Sequence, residues 1–214
     1  MSRHVVVFGI LLGLAFAVPG VRGQSLTNEG FEVGGLSGWT VFGPGWRTSS
    51  FSNDLGCDAH SGELGLVTDI KKNDKDEWRG VFQVVPAGRG SLYTGSVWIR
   101  AIKARSAEAM LEFQFLNKDN EILGIEQSLS ISGSEPFTRV EINGVQPPKH
   151  TEWISVRGVV HITSLTGNDD QFVMFDDFEL SVTNKNSRGK SSGRSSTSLE
   201  ERIAKRAADR AAGL

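Results

Sequence analysis

The chain has 214 residues, 38% hydrophobic and 22% charged, a balance that provides one good core and is too small for three domains. Residues 24–183 carry 13 basic and 22 acidic side chains, residues 184–214 carry 8 and 3, and the acidic body argues against a nucleic-acid partner. The single cysteine, Cys57, excludes an intramolecular disulfide framework and a cysteine-only zinc site.

Arg3, the apolar run Val5–Val18, the breaker Pro19-Gly20 and the small residue Gly23 together read as a cleaved export signal over residues 1–23. Fourteen apolar residues fall short of the roughly 20 that span a bilayer. No later segment is apolar enough to span, so the expected product is secreted or periplasmic. At the other end, residues 184–198 are a basic, serine-rich linker without an apolar side chain. Ser198 and Glu201 then have capping-box spacing for a short amphipathic helix over 199–214. The basic tail is expected to contact an acidic surface or a partner protein.

Between these ends the chain has the period-2 rhythm of strands. In 91–101, Tyr93, Val97 and Ile99 alternate with Thr94, Ser96, Trp98 and Arg100. In 109–116, Leu111, Phe113 and Phe115 alternate with Glu112 and Gln114. In 153–163, Ile154, Val156, Val160 and Ile162 oppose Trp153, Ser155, Arg157, Val159 and His161. Further strands are expected near 38–46, 63–69, 79–86, 121–131, 137–145 and 171–182. Eight or more short strands with turn residues between them predict an all-β sandwich or jelly roll over 24–183.

Catalytic signatures are absent: no HExxH, no GxSxG, no phosphate-binding glycine loop and no CxxC. The acidic pairs Asp169-Asp170 and Asp176-Asp177 are adjacent on a strand, so each pair points to opposite faces and makes no catalytic dyad alone. Asp176 shares parity with Phe172, Met174, Phe178 and Leu180, the expected core-facing residues of its strand. A buried carboxylate needs a partner, either an arginine or a metal ion, and with oxygen ligands in a secreted protein that ion would be calcium.

Several motifs carry a family resemblance. Asn28-x-Gly-Phe-Glu32, Gly38-Trp39, Ser61-Gly62 and Gly80-Val-Phe-Gln83 resemble the opening of carbohydrate-binding modules of families four, nine and twenty-two. Tyr93-Thr-Gly-Ser-Val-Trp98-Ile-Arg100 resembles their central strand, and Phe175-Asp176-Asp177-Phe178-Glu-Leu180 their closing one. The resemblance spans residues 25–183 and implies a galactose-binding-like jelly roll with a structural calcium ion. It implies Glu32 and Asp176 as the ligands, joined by backbone carbonyls near Asn28 and Leu64. It also implies a concave sheet face that binds a polysaccharide or oligosaccharide chain.

Such a face needs aromatic rings to stack on sugar C–H faces and polar groups to bond hydroxyls. The candidates are Trp78, Gln83, Trp98, Arg100, Gln114, Arg157 and His161. Trp39 and Trp153 read as packing residues, Trp46 and Trp78 as surface ones, and Trp98 as either. The function expected is a non-catalytic, secreted, glycan-binding module. The alternatives are an adhesion or assembly module without sugar binding, and a small glycoside hydrolase or lyase using Glu112.

Overall fold

The computed structural model describes residues 25–50, 58–71, 77–163 and 171–184, and every regular element within them is a strand. These are β1 (Thr40–Phe42), β2 (Trp46–Ser49), β3 (Gly65–Ile70), β4 (Glu77–Pro86), β5 (Ser91–Leu116), β6 (Ile122–Gln127), β7 (Ile131–Val145), β8 (Trp153–Ile162) and β9 (Gln171–Asn184). The signal segment, Cys57, the Asp169-Asp170 pair, the linker and the expected C-terminal helix lie outside the described residues. Among the described residues no helix is long and apolar enough to cross a membrane.

The strand expected near 38–46 is two strands, because Gly43-Pro44-Gly45 turns the chain between them with both glycines at positive φ. By contrast, the segments 91–101 and 109–116 belong to one strand, β5, of 26 residues. Its first half pairs with β7 and β9, and its second with β8 and β6. Lys103, at φ 52, and the register slips around it mark where the strand leaves one sheet for the other. All ladders are antiparallel. One sheet runs β7-β5-β9-β3-β2 and the other β1-β4-β8-β5-β6.

The two sheets pack face to face as a jelly-roll sandwich. The inner faces supply Val97, Ile99, Leu111, Phe113, Ile154, Val156, Val160, Val173, Phe175 and Phe178, each at most 1% exposed. Each such side chain contributes about 1.5–3 kcal/mol by leaving water. Glycines at the closest approaches let the sheets meet. A Cβ on Gly95, in the first half of β5, would fall 2.5 Å from Phe113 Cζ in the second half. Gly95→Ala is therefore expected to destabilise the fold by about 1–3 kcal/mol, read as a lower urea midpoint. An unchanged midpoint would show that the two halves of β5 do not oppose each other this tightly.

The closing strand departs from simple alternation. Asp177 adopts φ 47, and the β5–β9 register slips between Ser96 and Trp98, the mark of a bulge. Upstream of it Val173 and Phe175 face the core, and downstream Phe178 does. Phe172 and Met174 therefore point to the opposite side, where Met174 packs with Val67 in a separate small cluster. Of the expected core-facing set Phe172, Met174, Asp176, Phe178 and Leu180, Phe178 packs in the core and Leu180 against it, and Phe172, Met174 and Asp176 are corrected to the outer side. Asp176 is buried, at 0% exposure, on the outer side of the sheet.

Candidate functional site

Register defines one side-chain face across the β4–β8–β5 sheet. Trp78 lies opposite His161, and Phe82 opposite Arg157, which is opposite Glu112, which is opposite Gln127. One row further, Val84, Ser155, Gln114 and Ile125 line up in the same way. The Trp78 indole stacks on the His161 imidazole, with centroids 4.1 Å apart and 7° between planes, and 45% of Trp78 stays exposed. The Arg157 guanidinium lies over Phe82 at 5.0 Å and Phe42 at 5.5 Å, and its Nε donates to Ser155 Oγ at 3.0 Å. Burial lowers the Arg157 pKa from its ordinary value, against the pull of the Glu112 charge.

Glu112 forms the floor of this face at 5% exposure. Its Oε1 accepts from Gln114 Nε2 at 2.8 Å and its Oε2 from Gln127 Nε2 at 2.7 Å. Four of the expected sugar-binding residues, Trp78, Gln114, Arg157 and His161, thus share one face. Phe42, Phe82 and Gln127 join them although the sequence reading did not single them out. Phe82 carried a usable signal: it is four residues from Trp78, and even spacing on a strand means a common face.

Three other candidates lie elsewhere. Gln83 shares the inward side of β4 with Val81 and Val85. There its Oε1 accepts from Thr27 N at 3.0 Å and its Nε2 donates to Thr27 O at 2.6 Å, tying down the N-terminal segment. Its expected placement beside Gln114 and His161 is corrected for that reason. Trp98 and Arg100 belong to the half of β5 in the other sheet, on its outer face. Trp98 stacks on His60 at 3.8 Å, and Arg100 lies 5.9 Å from the Phe137 ring. Trp46, expected at the surface, packs against Phe175, and its Nε1 donates to Phe42 O at 3.1 Å. Trp39, at 7% exposure, packs on Phe31 and Phe178 as expected.

A second cluster gathers around the loop before β3. Asp176 Oδ2 accepts the backbone N–H groups of His60 at 2.9 Å and Ser61 at 3.2 Å, and Asp176 Oδ1 accepts that of Asp177. Glu32 Oε1 accepts the N–H groups of Glu63 and Leu64. Asp177 bonds the His60 ring at 2.6 Å and the Ser61 hydroxyl at 2.8 Å. Three carboxylates therefore hold one loop. Burial first, and the Asp177 charge second, raise the Asp176 pKa to about 7 despite its three N–H donors.

These residues fit an oxygen-ligated cation in part. An ideal Cβ on Gly30 would lie 3.0 Å from Asp177 Oδ1 and 3.6 Å from Asp176 Oδ1, so two aspartate oxygens crowd Gly30, while the Glu32 carboxylate lies against Gly62. Among the described residues no lysine or arginine pairs with Asp176, so the salt-bridge alternative has no partner there. Asn28 and Leu64 are engaged in other ways. The Asn28 carbonyl accepts from Trp39 Nε1 and Phe31 N, and Leu64 presents its N–H to Glu32. Among the described residues no three acidic, histidine or cysteine side chains converge as a ready ligand set.

No family model and no curated protein matches the chain. Solved structures do match its fold, which is the fold of family 22 carbohydrate-binding modules. The CBM22-1 xylan-binding domain of Paenibacillus barcinonensis Xyn10C superposes with a TM-score of 0.53 at 13% identity, over 78% of this chain and 99% of that domain. The Stig cyclase Fisc of Fischerella sp. TAU, in complex with an indole compound, gives 0.55 at 12% identity, over 75% and 98%. The enzymatically active domain of tailspike protein 4 of bacteriophage CBA120 gives 0.54 at 12% identity, and this chain spans only 21% of it. One fold therefore carries both binders and catalysts, and identities this low establish the architecture alone.

Proposed function

We propose that the chain is a secreted, non-catalytic module that binds glycan chains on the outer face of the β4–β8–β5 sheet, with a structural calcium ion held by Glu32 and Asp176. The observation that carries the glycan reading is the exposed Trp78 ring, stacked on His161 on the sheet face that also carries Arg157 and Gln114 further along the strands. A flat ring next to hydrogen-bonding groups matches the two faces of a sugar, one C–H and one hydroxyl. Aromatic stacking is worth about 1–3 kcal/mol where it has been measured on nucleobases. Trp78→Ala is accordingly expected to weaken polysaccharide binding roughly 5- to 150-fold in affinity electrophoresis. Its melting temperature should stay close to wild type, because an exposed ring adds little to the core. Unchanged glycan retention with a large loss of stability would make Trp78 a packing residue and favour an assembly module.

The competing reading, a catalyst, draws on Glu112, a sheltered carboxylate at the centre of the same face. A glycosidase needs a second acid about 5–9.5 Å away. Along the ladder the neighbours of Glu112 are Arg157 and Gln127. Glu108, four residues along the same strand, is roughly 13 Å off at 3.3 Å per residue. That spacing supports binding over hydrolysis.

A further inference from the structure

Arg157 uses its donors unequally. Its Nε bonds Ser155 Oγ, while its two terminal nitrogens have no hydrogen-bond partner among the described residues. The natural acceptor, Glu112, stands directly opposite in the β5–β8 ladder. Both Glu112 oxygens, however, are occupied by the amides of Gln114 and Gln127. Each oxygen keeps a further lone pair, yet Arg157 forms no ion pair with Glu112, and its guanidinium lies instead over the rings of Phe42 and Phe82.

The terminal nitrogens of Arg157 reach solvent, and a partner that replaces that water with two charge-assisted bonds beside the two rings gains affinity. The planar fork of Arg157 matches two coplanar oxygens, the geometry of a carboxylate, better than the scattered hydroxyls of a neutral sugar. The flanking rings fix the plane of the fork, and the Trp78–His161 stack, four residues along the strands on the same face, can take the ring of another sugar of the same chain. We propose that this face selects acidic polysaccharides, and that Arg157 forms a bidentate pair with the carboxylate of a uronic-acid residue. This rests on the glycan-binding reading above and narrows its ligand class. Because residues 24–183 carry 22 acidic and 13 basic side chains, a polyanion is repelled at long range. Selection therefore comes from the short-range fork, and charge density alone does not attract the ligand.

The test is titration of the full chain with polygalacturonate and with alginate, each against its carboxyl-reduced form, and with dextran sulfate as a charge control. The uronate polymers are expected to bind at least about tenfold more tightly than their reduced forms, the lower range for hydrogen bonds to a charged group. Arg157→Gln should bring that ratio close to one. Arg157→Lys, which keeps the charge and loses the fork, should leave an intermediate ratio. Melting curves identify any variant that fails to fold, in which case the other decides. Equal binding of acidic and reduced polymers would overturn the uronate proposal and leave glycan binding standing. Equally tight binding of dextran sulfate, or a ratio that survives both substitutions, would overturn it too. Retention of none of the polymers would overturn the uronate proposal, and the glycan reading would then rest on the Trp78 test alone.

Discussion

Phe175→Ala is expected to cost the fold about 3–5 kcal/mol, the usual range for emptying a large aromatic site in a core. Phe175 is 0% exposed and packs against Trp46 at 5.9 Å and Phe178 at 6.1 Å. Its ring also faces Gly158 in the opposing sheet, where an added Cβ would lie 2.9 Å from Phe175 Cδ1. A glycine has no side chain to move into the space, so the cavity stays open and the loss should sit high in the range. In a body of about 160 residues, that is a fall in melting temperature of roughly 10 °C or more. A loss below about 1 kcal/mol would mean that Phe175 does not fill the gap between the sheets.

If the proposed calcium ion is bound, removing it should have an effect of similar size. A ligand that binds only the folded state stabilises it by about 2.7 kcal/mol at a hundredfold excess over its dissociation constant. Chelation should then lower the melting temperature by several degrees. Asp176→Ala should lower it in the presence of calcium, because the N–H groups of His60, Ser61 and Asp177 lose their acceptor, and should abolish the response to chelator, because a proposed ligand is gone. Melting curves that superimpose with and without chelator would overturn the metal reading.

The metal-free protein has its own signature. Burial, and then the Asp177 charge, push the folded Asp176 carboxyl up to about 7 from its ordinary 3.8. Beside it stand His60, bonded to Asp177, and the Glu32 carboxylate on the same loop. The folded state holds the Asp176 proton more tightly than the unfolded chain does. This group's destabilisation is therefore full above about pH 7 and fades as the pH falls toward 4. Chelated wild type should gain stability over that window relative to Asp176→Ala.

Where polarity and position agreed, the fold was legible from residues alone. Tyr93, Val97 and Ile99, and Ile154, Val156, Val160 and Ile162, face the core as their alternation indicates. The same alternation put Arg157 and His161 on the outward face, which is how half of the candidate site could be read. Gln83 and Phe82 reverse the pattern. The polar residue points inward to hold Thr27, and the aromatic one points outward to carry Arg157. Alternation reports polarity, and here polarity follows particular partners that are distant in sequence. The β9 bulge was hidden for another reason, since an aspartate at positive φ leaves no trace in the hydrophobic pattern. Glu32 and Asp176 were legible only as a pair of acids. The loop they hold by its N–H groups involves backbone atoms, which the sequence does not distinguish.

The passage of β5 from one sheet to the other also shapes how the protein assembles. Its first half needs β9, which closes about 80 residues later, and its second half needs β8, about 45 residues later. Neither sheet has a complete hydrogen-bond ladder until chain from far downstream returns, so few native contacts can form locally and early. Such a topology folds slowly, on the millisecond-to-second scale of sandwiches rich in non-local pairing. Until β8 and β9 arrive, the edge of β5 that pairs with them is left unpaired. In that interval self-association competes with folding.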